Sequence, residues 1–270
     1  MKKIGLCLSL CTLSFGTWAA CSYDFDANAS QLSVLYGEPY QSKDQQSFTS
    51  AILSKKTSQN FSAANSTNLT HYANGNLTGN MLIPTTGIIA VEFKLTKFPT
   101  SKPIATGQVE TGITIVSQDS VNKSVFVTMM QLHTGLSNIS PYPEMSRFSS
   151  ITTGGLYTVN NGEITSTNPI TTTPYIHPNL PLTNDYRIGV YFNQNSKQFG
   201  LIVNGVNQGY VYNYQSTLKN IGFILHSTVL DISPNDPILN QQVGIELITD
   251  RSKYKFAYPT GTKDLCGNTL

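Results

Sequence analysis

Apolar and polar residues alternate with a period of two along much of the chain. In the segment GIIAVEFKLTKF, Val91, Phe93 and Leu95 alternate with Glu92 and Lys94. This alternation is typical of a β-strand that buries one face. Further short segments are rich in β-branched and aromatic residues and are bounded by turn formers: GITIVSQ, SVFVTMMQL, YRIGVYFN, FGLIVNG, IGFILHS, VGIELITD and YKFAYP. The pattern predicts an all-β protein, a two-sheet antiparallel β-sandwich.

One segment departs from the strand pattern. QQSFTSAILSKK, residues 45–56, is compatible with one short helix. No low-complexity linker and no internal repeat divides the remaining chain. We therefore expect a single domain over residues 20–270.

The pair Asn204-Gly205 predicts a β-hairpin, because Asn and Gly best tolerate the positive φ that both centres of a type I′ turn require. In a two-residue turn Val203 pairs with Val206. Continued without interruption, this register places Phe199 opposite Tyr210.

Three tyrosines follow this turn at alternate positions, Tyr210, Tyr212 and Tyr214. The register predicts that Tyr210 lies in the core. Tyr212 and Tyr214 extend past the apolar part of the partner strand, so they are candidate ligand-binding residues at the rim of the sheet. The alternative is that the whole ladder is core.

The first 20 residues, MKKIGLCLSLCTLSFGTWAA, have the pattern of a bacterial export signal: a basic start, a short apolar run and small residues at the end. We expect residues 1–19 to be a signal peptide with cleavage after Ala19. No second long apolar run follows, so no membrane span is predicted. The expected location is the periplasm, the cell surface or the extracellular medium.

Charge argues against a polyanionic partner. After loss of Lys2 and Lys3 the chain has 17 − 2 = 15 basic residues against 15 acidic ones. Binding to nucleic acid or to an anionic membrane usually requires a marked basic excess, so neither is expected.

Two cysteines remain after cleavage, Cys21 and Cys266. In an oxidising compartment an isolated pair at opposite ends of a chain predicts one disulfide that joins the termini. The alternative is that Cys21 is lipidated, because WAAC partly matches a lipoprotein cleavage site.

The segment DYRIGVYFNQNSKQFGLIVNGVNQGYVYNY resembles the concanavalin A-like lectin/glucanase superfamily, which includes laminin-G-like and pentraxin-like domains. GIIAVEFKLTKF is similar to an early strand of the same jelly roll. The resemblance implies a jelly-roll sandwich with neighbouring terminal strands, in agreement with a Cys21–Cys266 bond. The whole chain also resembles exported families of Gram-negative bacteria, which implies no activity.

Glucanase chemistry would require two carboxylates about 5 to 5.5 Å apart, as in a Glu-x-Asp-x-Glu run. The sequence has no such run, and Glu92 and Glu246 are single strand-centred glutamates. Both lie opposite the apolar positions of their strands and are expected to face solvent. A polysaccharide-active hydrolase that uses this pair is one alternative function.

Other catalytic motifs are missing from the sequence, including Gly-x-Ser-x-Gly, His-Glu-x-x-His and the phosphate-binding glycine loop. His71, His133, His177 and His226 are scattered singly, without metal-ligand spacing. The chain is therefore expected to have no catalytic residues and no resident cofactor, calcium excepted.

Calcium is an open possibility in LDISPNDPILN, where Asp231, Asn235 and Asp236 supply oxygen ligands in one loop. The same residues are ordinary turn formers, and the spacing matches no strict calcium motif.

Two irregular, proline-bearing segments are candidate binding loops. LSNISPYPEMSRF carries Tyr142, Glu144 and Arg147, and NNGEITSTNPITTTPYIHPNLPLTND carries Tyr175 and His177. Tyrosine and histidine rings could stack on a sugar while Arg147 binds its hydroxyls. An edge-covering role is the alternative. The sequence therefore favours a non-catalytic, lectin-like protein that binds a glycan, with an adhesive protein that binds another protein as the alternative.

Overall fold

The computed structural model describes most of the chain from Cys21 onwards, and within residues 147–177 it describes the backbone of the strands alone. The predicted signal peptide, residues 1–19, lies outside the described residues. The described residues are 21–35, 38–42, 46–52, 58–74, 76, 78–99, 107–120, 125–135, 147–155, 157–160, 163–166, 170–171, 175–177 and 186–270.

Short strands make up most of the described structure, together with two short α-helices and two 3₁₀ turns. The helices are α1 Ala29–Leu32 and α2 Ser66–Ala73, and the 3₁₀ turns are Ser33–Leu35 and Arg251–Lys253. None of the helices within the described ranges is long and apolar enough to cross a membrane. The strands are β1 Glu38–Pro39, β2 Gln41–Ser42, β3 Ser47–Ala51, β4 Ser58–Ala64, β5 Met81–Leu82, β6 Ile88–Lys97, β7 Gln108–Gln118, β8 Val125–Gly135, β9 Arg147–Gly155, β10 Tyr157–Asn160, β11 Glu163–Ser166, β12 Ile170–Thr171, β13 Tyr175–His177, β14 Tyr186–Asn193, β15 Gln198–Val203, β16 Val206–Asn213, β17 Asn220–Leu230, β18 Gln242–Ile248 and β19 Thr262–Lys263.

Two large sheets contain most of these strands. The first sheet has the order β1-β4-β17-β7-β8-β9-β12, with β13 on β9 and β5 on β17. The second has the order β16-β15-β14-β6-β18-β3-β2, with β19 on β6. Pairing is antiparallel except for β1 with β4 and β19 with β6. Strands β10 and β11 form a separate two-stranded antiparallel sheet.

The core lies between the two sheets. The Phe126 ring from β8 of the first sheet packs against Phe192 and Phe199 of the second, with ring centroids 5.8 Å apart in both pairs. One continuous cluster of buried side chains includes residues from both sheets. The predicted all-β, two-sheet antiparallel sandwich is confirmed, and the topology is consistent with a jelly roll.

The short helix expected at residues 45–56 is wrong. Residues Ser47–Ala51 form strand β3, which pairs with β18 and β2. Phe48 is 5% exposed and Ile52 is fully buried. The apolar spacing of this short segment fits a helix as well as a buried strand, and pairing with β18 favours the strand. The described helices lie elsewhere, and α2 begins after Asn65, whose side chain accepts hydrogen bonds from the Thr67 and Asn68 amides.

The hairpin prediction is confirmed, but its register is not. Asn204 and Gly205 have φ values of 46° and 85°, and Val203 pairs with Val206. Two register shifts follow along β15 and β16, so Phe199 pairs with Tyr212 and not with Tyr210. Each shift inserts one extra residue into β16, as in a β-bulge.

These bulges reverse the predicted positions of the three tyrosines. The first bulge moves Tyr210 to the outer face, where it is 40% exposed and its ring centroid is 5.3 Å from that of Tyr191. The second restores the alternation, so Tyr212 and Tyr214 are buried, at 7% and 6% exposure, and both rings pack against Phe126. The prediction of Tyr210 as core is therefore wrong, and Tyr212 and Tyr214 are core residues that offer no ligand platform.

The predicted disulfide is confirmed. Cys21 is bonded to Cys266, with 5.7 Å between the two Cα atoms. The Cys21 sulfur therefore has no free thiol for a lipid. The bond joins the segment before α1 to the segment after β19, as the expected proximity of the two chain ends requires.

Candidate functional site

The outer face of the first sheet carries a regular array of polar side chains. In β7 and β17 the apolar side chains at odd positions enter the core, so the even positions face outwards. One row across the sheet consists of Ser62, His226, Gly112 and Gln131 in register. These positions come from four strands; β7 and β8 are consecutive, whereas β4 and β17 are distant from them in the sequence.

A groove of about 410 Å³ lies on this face. Its floor comes from β4, β17, β7 and β8, and one wall comes from the 3₁₀ turn at Leu35, from α2 and from the residues after α2. Tyr72 of α2 and Met129 of β8 supply large partly apolar surfaces, and Met129 is 38% exposed. Amide and hydroxyl groups are interspersed among them, from Asn60, Asn68, Asn76, Thr78, Thr114 and Thr228.

Gly112 allows His226 to contact a residue two strands away. The Nε2 atom of His226 lies 3.1 Å from Oε1 of Gln131, across β7. A Cβ atom at Gly112 would overlap the Met130 carbonyl oxygen and would lie 2.7 Å from Cβ of Gln131. The glycine therefore fixes the spacing of this part of the groove floor.

We expect Gly112→Ala to destabilise the protein by roughly 2–3 kcal/mol, because the added methyl group overlaps backbone atoms of β8 that cannot move independently. Urea denaturation, followed by the near-UV circular dichroism of the tyrosines, would measure the loss. Thr114→Ala, two positions further along the same face of β7, is the matched control with a loss below about 1 kcal/mol. Equal stability of the two variants would contradict the close packing at Gly112.

A carboxylate–imidazole pair forms the neighbouring row. Glu110 pairs in register with His133, and His133 Nδ1 lies 2.8 Å from Glu110 Oε1. The same carboxylate oxygen accepts a hydrogen bond of 2.7 Å from Gln108 Nε2. Both partners are largely buried, with side-chain exposures of 18% for Glu110 and 8% for His133. Arg147, at the start of β9, follows His133 in register.

His226 is held uncharged at neutral pH. Burial lowers its pKa to about 4; Glu110 and a hydrogen bond with the Ile224 backbone oppose this shift, and His133 adds a smaller lowering contribution. The imidazole therefore acts in the groove as a neutral hydrogen-bonding group.

This shift links stability to pH. The unfolded chain takes up a proton at His226 below pH 6.5, whereas the folded protein does so only near pH 4. Stability is therefore complete above pH 6.5 and falls as the pH is lowered to 4, by at most about 3 kcal/mol because the ring is partly solvated. When the denaturation midpoint is plotted against pH from 4 to 7, the slope should be shallower for His226→Gln than for the parent. An unchanged slope for His226→Gln would contradict the linkage.

The structure describes some of the predicted loop residues and not others. Arg147 begins β9, and Tyr175 and His177 lie in β13, opposite Ser150 and Phe148 of β9. The backbone thus brings Arg147 and His177 to the same end of β9, beside His133. Tyr142 and Glu144 lie outside the described residues.

The predicted calcium residues lie in one turn-rich loop between β17 and β18. Asp231 has a φ of 52°, and Asn235 is exposed. Asp236 is 3% exposed, and its Oδ1 accepts a hydrogen bond of 3.0 Å from the Ile238 amide. This carboxylate therefore stabilises the turn, in line with the alternative interpretation of the loop. One described group of metal-capable residues lies elsewhere and consists of the two disulfide cysteines and Asp264.

Glu92 does not face solvent, contrary to the sequence prediction. Its side chain is fully buried and forms an ion pair with Arg187. Its Oε1 atom accepts hydrogen bonds of 3.0 Å from the amides of Lys255 and Phe256. The Tyr258 hydroxyl also donates to it, and burial followed by the Glu92 charge raises the pKa of this tyrosine. Glu92 thus anchors the C-terminal segment on the outer face of the second sheet.

Glu246 lies on the strand next to Glu92, as a catalytic pair would require. Glu246 pairs with Lys94, and Glu92 pairs with Ile248, so the two glutamates are diagonal neighbours on one face. Because the Glu92 carboxylate is enclosed by Arg187 and the C-terminal segment, the pair does not form an open catalytic site.

The sequence analysis missed the groove residues Tyr72, Met129 and His226. A signal was present in β8 and β17, where Met129, Gln131 and His133 alternate with core residues, as do Ile224 and His226. Alternation assigns these residues to outer faces. It does not show that β17 lies beside β7, which is the arrangement that creates the groove.

Several solved structures of carbohydrate-related proteins are similar to this chain at low sequence identity. The κ-carrageenase from Pseudoalteromonas carrageenovora, solved with an oligotetrasaccharide of κ-carrageenan, is 10% identical with a TM-score of 0.40, over 77% of this chain and 80% of that one. The legume lectin-like domain from Entamoeba histolytica is 7% identical with a TM-score of 0.38, over 79% and 90%. The pseudo β-1,3-glucanase of Mycobacterium tuberculosis is 10% identical with a TM-score of 0.39, over 84% and 85%. Likeness at this level does not establish function.

Comparison of the sequence with known families gives a single assignment. No curated protein sequence matches the chain significantly. Residues 6–268 match the family described as a domain of unknown function, DUF4882. The chain therefore belongs to the DUF4882 family.

Proposed function

We propose that this protein is an exported, non-catalytic glycan-binding protein and that the groove on the first sheet is its binding site. The observation that carries the proposal is the composition of the groove, in which the Tyr72 and Met129 side chains stand among amide and hydroxyl groups. Ligand sites typically combine apolar walls with a few well-placed polar groups. A sugar ring presents the complementary pattern, with apolar C–H faces and hydroxyl groups at its edge.

The groove offers two kinds of contact. A tyrosine ring can pack against the apolar face of a sugar while its hydroxyl stays hydrated. Asn60, Asn76 and Thr114 each supply groups that donate and accept hydrogen bonds, as sugar hydroxyls require. Asn76 is exposed and Asn60 is partly exposed, so both are accessible to a ligand.

The predicted loop residues extend this proposal beyond the described groove. Arg147, Tyr175 and His177 belong to strands that continue the sheet past β8, and Tyr142 and Glu144 precede β9 in the chain. We include them as contacts for a longer ligand. Alanine substitution of Tyr142 or Tyr175 should then weaken binding of long oligosaccharides more than binding of short ones.

We expect Tyr72→Ala to weaken glycan binding about tenfold, because loss of one aromatic contact costs roughly 1.4 kcal/mol. The oxidised protein lacking residues 1–19 would first be screened on a glycan and bacterial-polysaccharide array. Isothermal titration calorimetry with an array hit would then give the affinities of parent and variant.

Tyr210→Ala is the matched control, since Tyr210 is an exposed tyrosine on the outer face of the other sheet. It should bind like the parent. Equal weakening by both substitutions would place the site elsewhere, and a blank array would favour a protein partner. Release of shortened oligosaccharides on incubation would contradict the proposed lack of catalysis.

A calcium requirement is a separate proposal. If Asp231, Asn235 and Asp236 hold Ca²⁺, a chelator should lower the thermal midpoint, and Asp231→Ala should abolish that sensitivity. An identical midpoint with calcium and with chelator would leave the loop as a turn.

A further inference from the structure

The described lining of the groove is neutral. None of the described residues that line it is Asp, Glu, Lys or Arg. Its apolar floor is formed by Val116, Val127 and Ile224, together with Met129. A ligand that enters this groove therefore exchanges water for amide, hydroxyl and hydrocarbon contacts.

Among the described residues that line the groove, His226 has the side chain that could become positively charged near neutral pH. It stays neutral at that pH. Burial lowers its pKa to about 4, and its Nε2 atom is engaged with Gln131 at 3.1 Å. At pH 7 it thus supplies no counter-charge for a carboxylate or sulfate.

The ionisable groups that face His226 strengthen the same preference. On β7, the Glu110 carboxylate lies one row away on the same outer face, opposite Thr228 of β17. On β8, His133 pairs with that carboxylate at 2.8 Å. No described charged residue of β4 lines the groove. Arg147 lies on β9, beyond His133 and outside the floor strands.

We propose that the groove selects uncharged glycans and rejects anionic ones. The inference rests on the proposed function and specifies its ligand class. An acidic sugar held within the groove would lose hydration of its charge among described lining residues that include no fixed cation, and such transfer costs several kcal/mol unless the charge is paired. Neutral hydroxyls lose less, because amide and hydroxyl groups replace the water.

The test compares short oligosaccharides of equal length, which do not extend past β8 to Arg147, at pH 7 by isothermal titration calorimetry. Neutral probes are glucan, galactan and mannan oligosaccharides, and anionic probes are oligogalacturonate and sulfated galactan oligosaccharides. At least one neutral probe should bind with at least tenfold higher affinity than every anionic probe. Anionic probes that bind as tightly as neutral ones would overturn the selectivity while leaving glycan binding intact. Failure of every probe, together with a blank array, would refute the proposed function itself.

A charge inserted into the floor tests the cause of the selectivity. Thr114→Lys, on the partly exposed floor of the groove, should raise affinity for an anionic probe at least tenfold and lower that for a neutral probe. Met129→Lys provides a second, more exposed position if Thr114→Lys does not fold. Gln208→Lys, on β16 of the other sheet, adds the same charge away from the groove and should change neither affinity. Equal gains for the floor variants and for Gln208→Lys would show a non-specific charge effect and overturn the proposal.

Discussion

Replacing Arg187 by methionine should destabilise the protein by about 3–5 kcal/mol, because it leaves the carboxylate of Glu92 buried without its cation. Glu92 is fully buried, whereas the Arg187 side chain is 16% exposed. Arg187 also donates a hydrogen bond of 3.0 Å to the Lys253 carbonyl, so the substitution removes a second tie to the C-terminal segment. Guanidinium denaturation of the oxidised protein would give the loss from the shift in midpoint at constant slope.

Two further variants separate charge from packing. Adding Glu92→Gln to Arg187→Met should recover part of the lost stability, since a neutral amide needs no counter-charge. Arg251→Met, whose guanidinium makes a hydrogen bond of 3.4 Å to the Thr269 carbonyl at the surface, should cost less than about 1 kcal/mol. If Arg187→Met and Arg251→Met proved equally stable, the buried ion pair would not anchor the segment.

The other large effect expected is loss of the disulfide, which should lower the free energy of unfolding by about 5 kcal/mol at most. The bond closes a loop with a sequence separation of 245 residues, and in the chain-entropy model the stabilisation grows with loop length. The variant Cys21→Ser/Cys266→Ser would be compared with the oxidised parent by denaturant titration. Native-state structure that holds the ends together without the bond would reduce the measured loss.

Reduction of the parent provides the control for this variant. The reduced parent and the double serine variant should unfold at the same midpoint, because both lack the cross-link and neither adds bulk. In the oxidised protein the Thr249 hydroxyl donates to the Cys21 carbonyl at 2.6 Å. This contact is to the backbone, so neither reduction nor the serine substitution removes either partner. An oxidised parent no more stable than its reduced form would mean that the bond is not a stabilising element.

Much of the architecture follows from local patterns. Val91, Phe93 and Leu95 alternate with polar residues, and all three are at most 1% exposed, as the pattern predicts for one strand face. Asn204-Gly205 forms the expected turn because few other residue pairs tolerate positive φ at both positions.

The errors arise where a residue's environment depends on distant strands. The segment at Phe48 has an ambiguous local pattern, and pairing with β18 makes it a strand. Tyr210 lies outside because two bulges, one close to Gly209 at a φ of 72°, shift the register of β16. Glu92 occupies an outward position, but the C-terminal segment covers that face and supplies its hydrogen bonds.

The sequence alone determined the all-β class, the hairpin and the cysteine pairing, since these depend on side-chain period, turn conformation and the count of cysteines. The tertiary structure decided the bulged register, the burial of Glu92 and the groove that contains His226. Those features arise from the lateral order of strands, above all β17 between β4 and β7. Strands β7 and β17, which are neighbours in the groove floor, are separated by more than 100 positions in the sequence. Period-two alternation assigns each residue to a face without specifying the neighbouring strand.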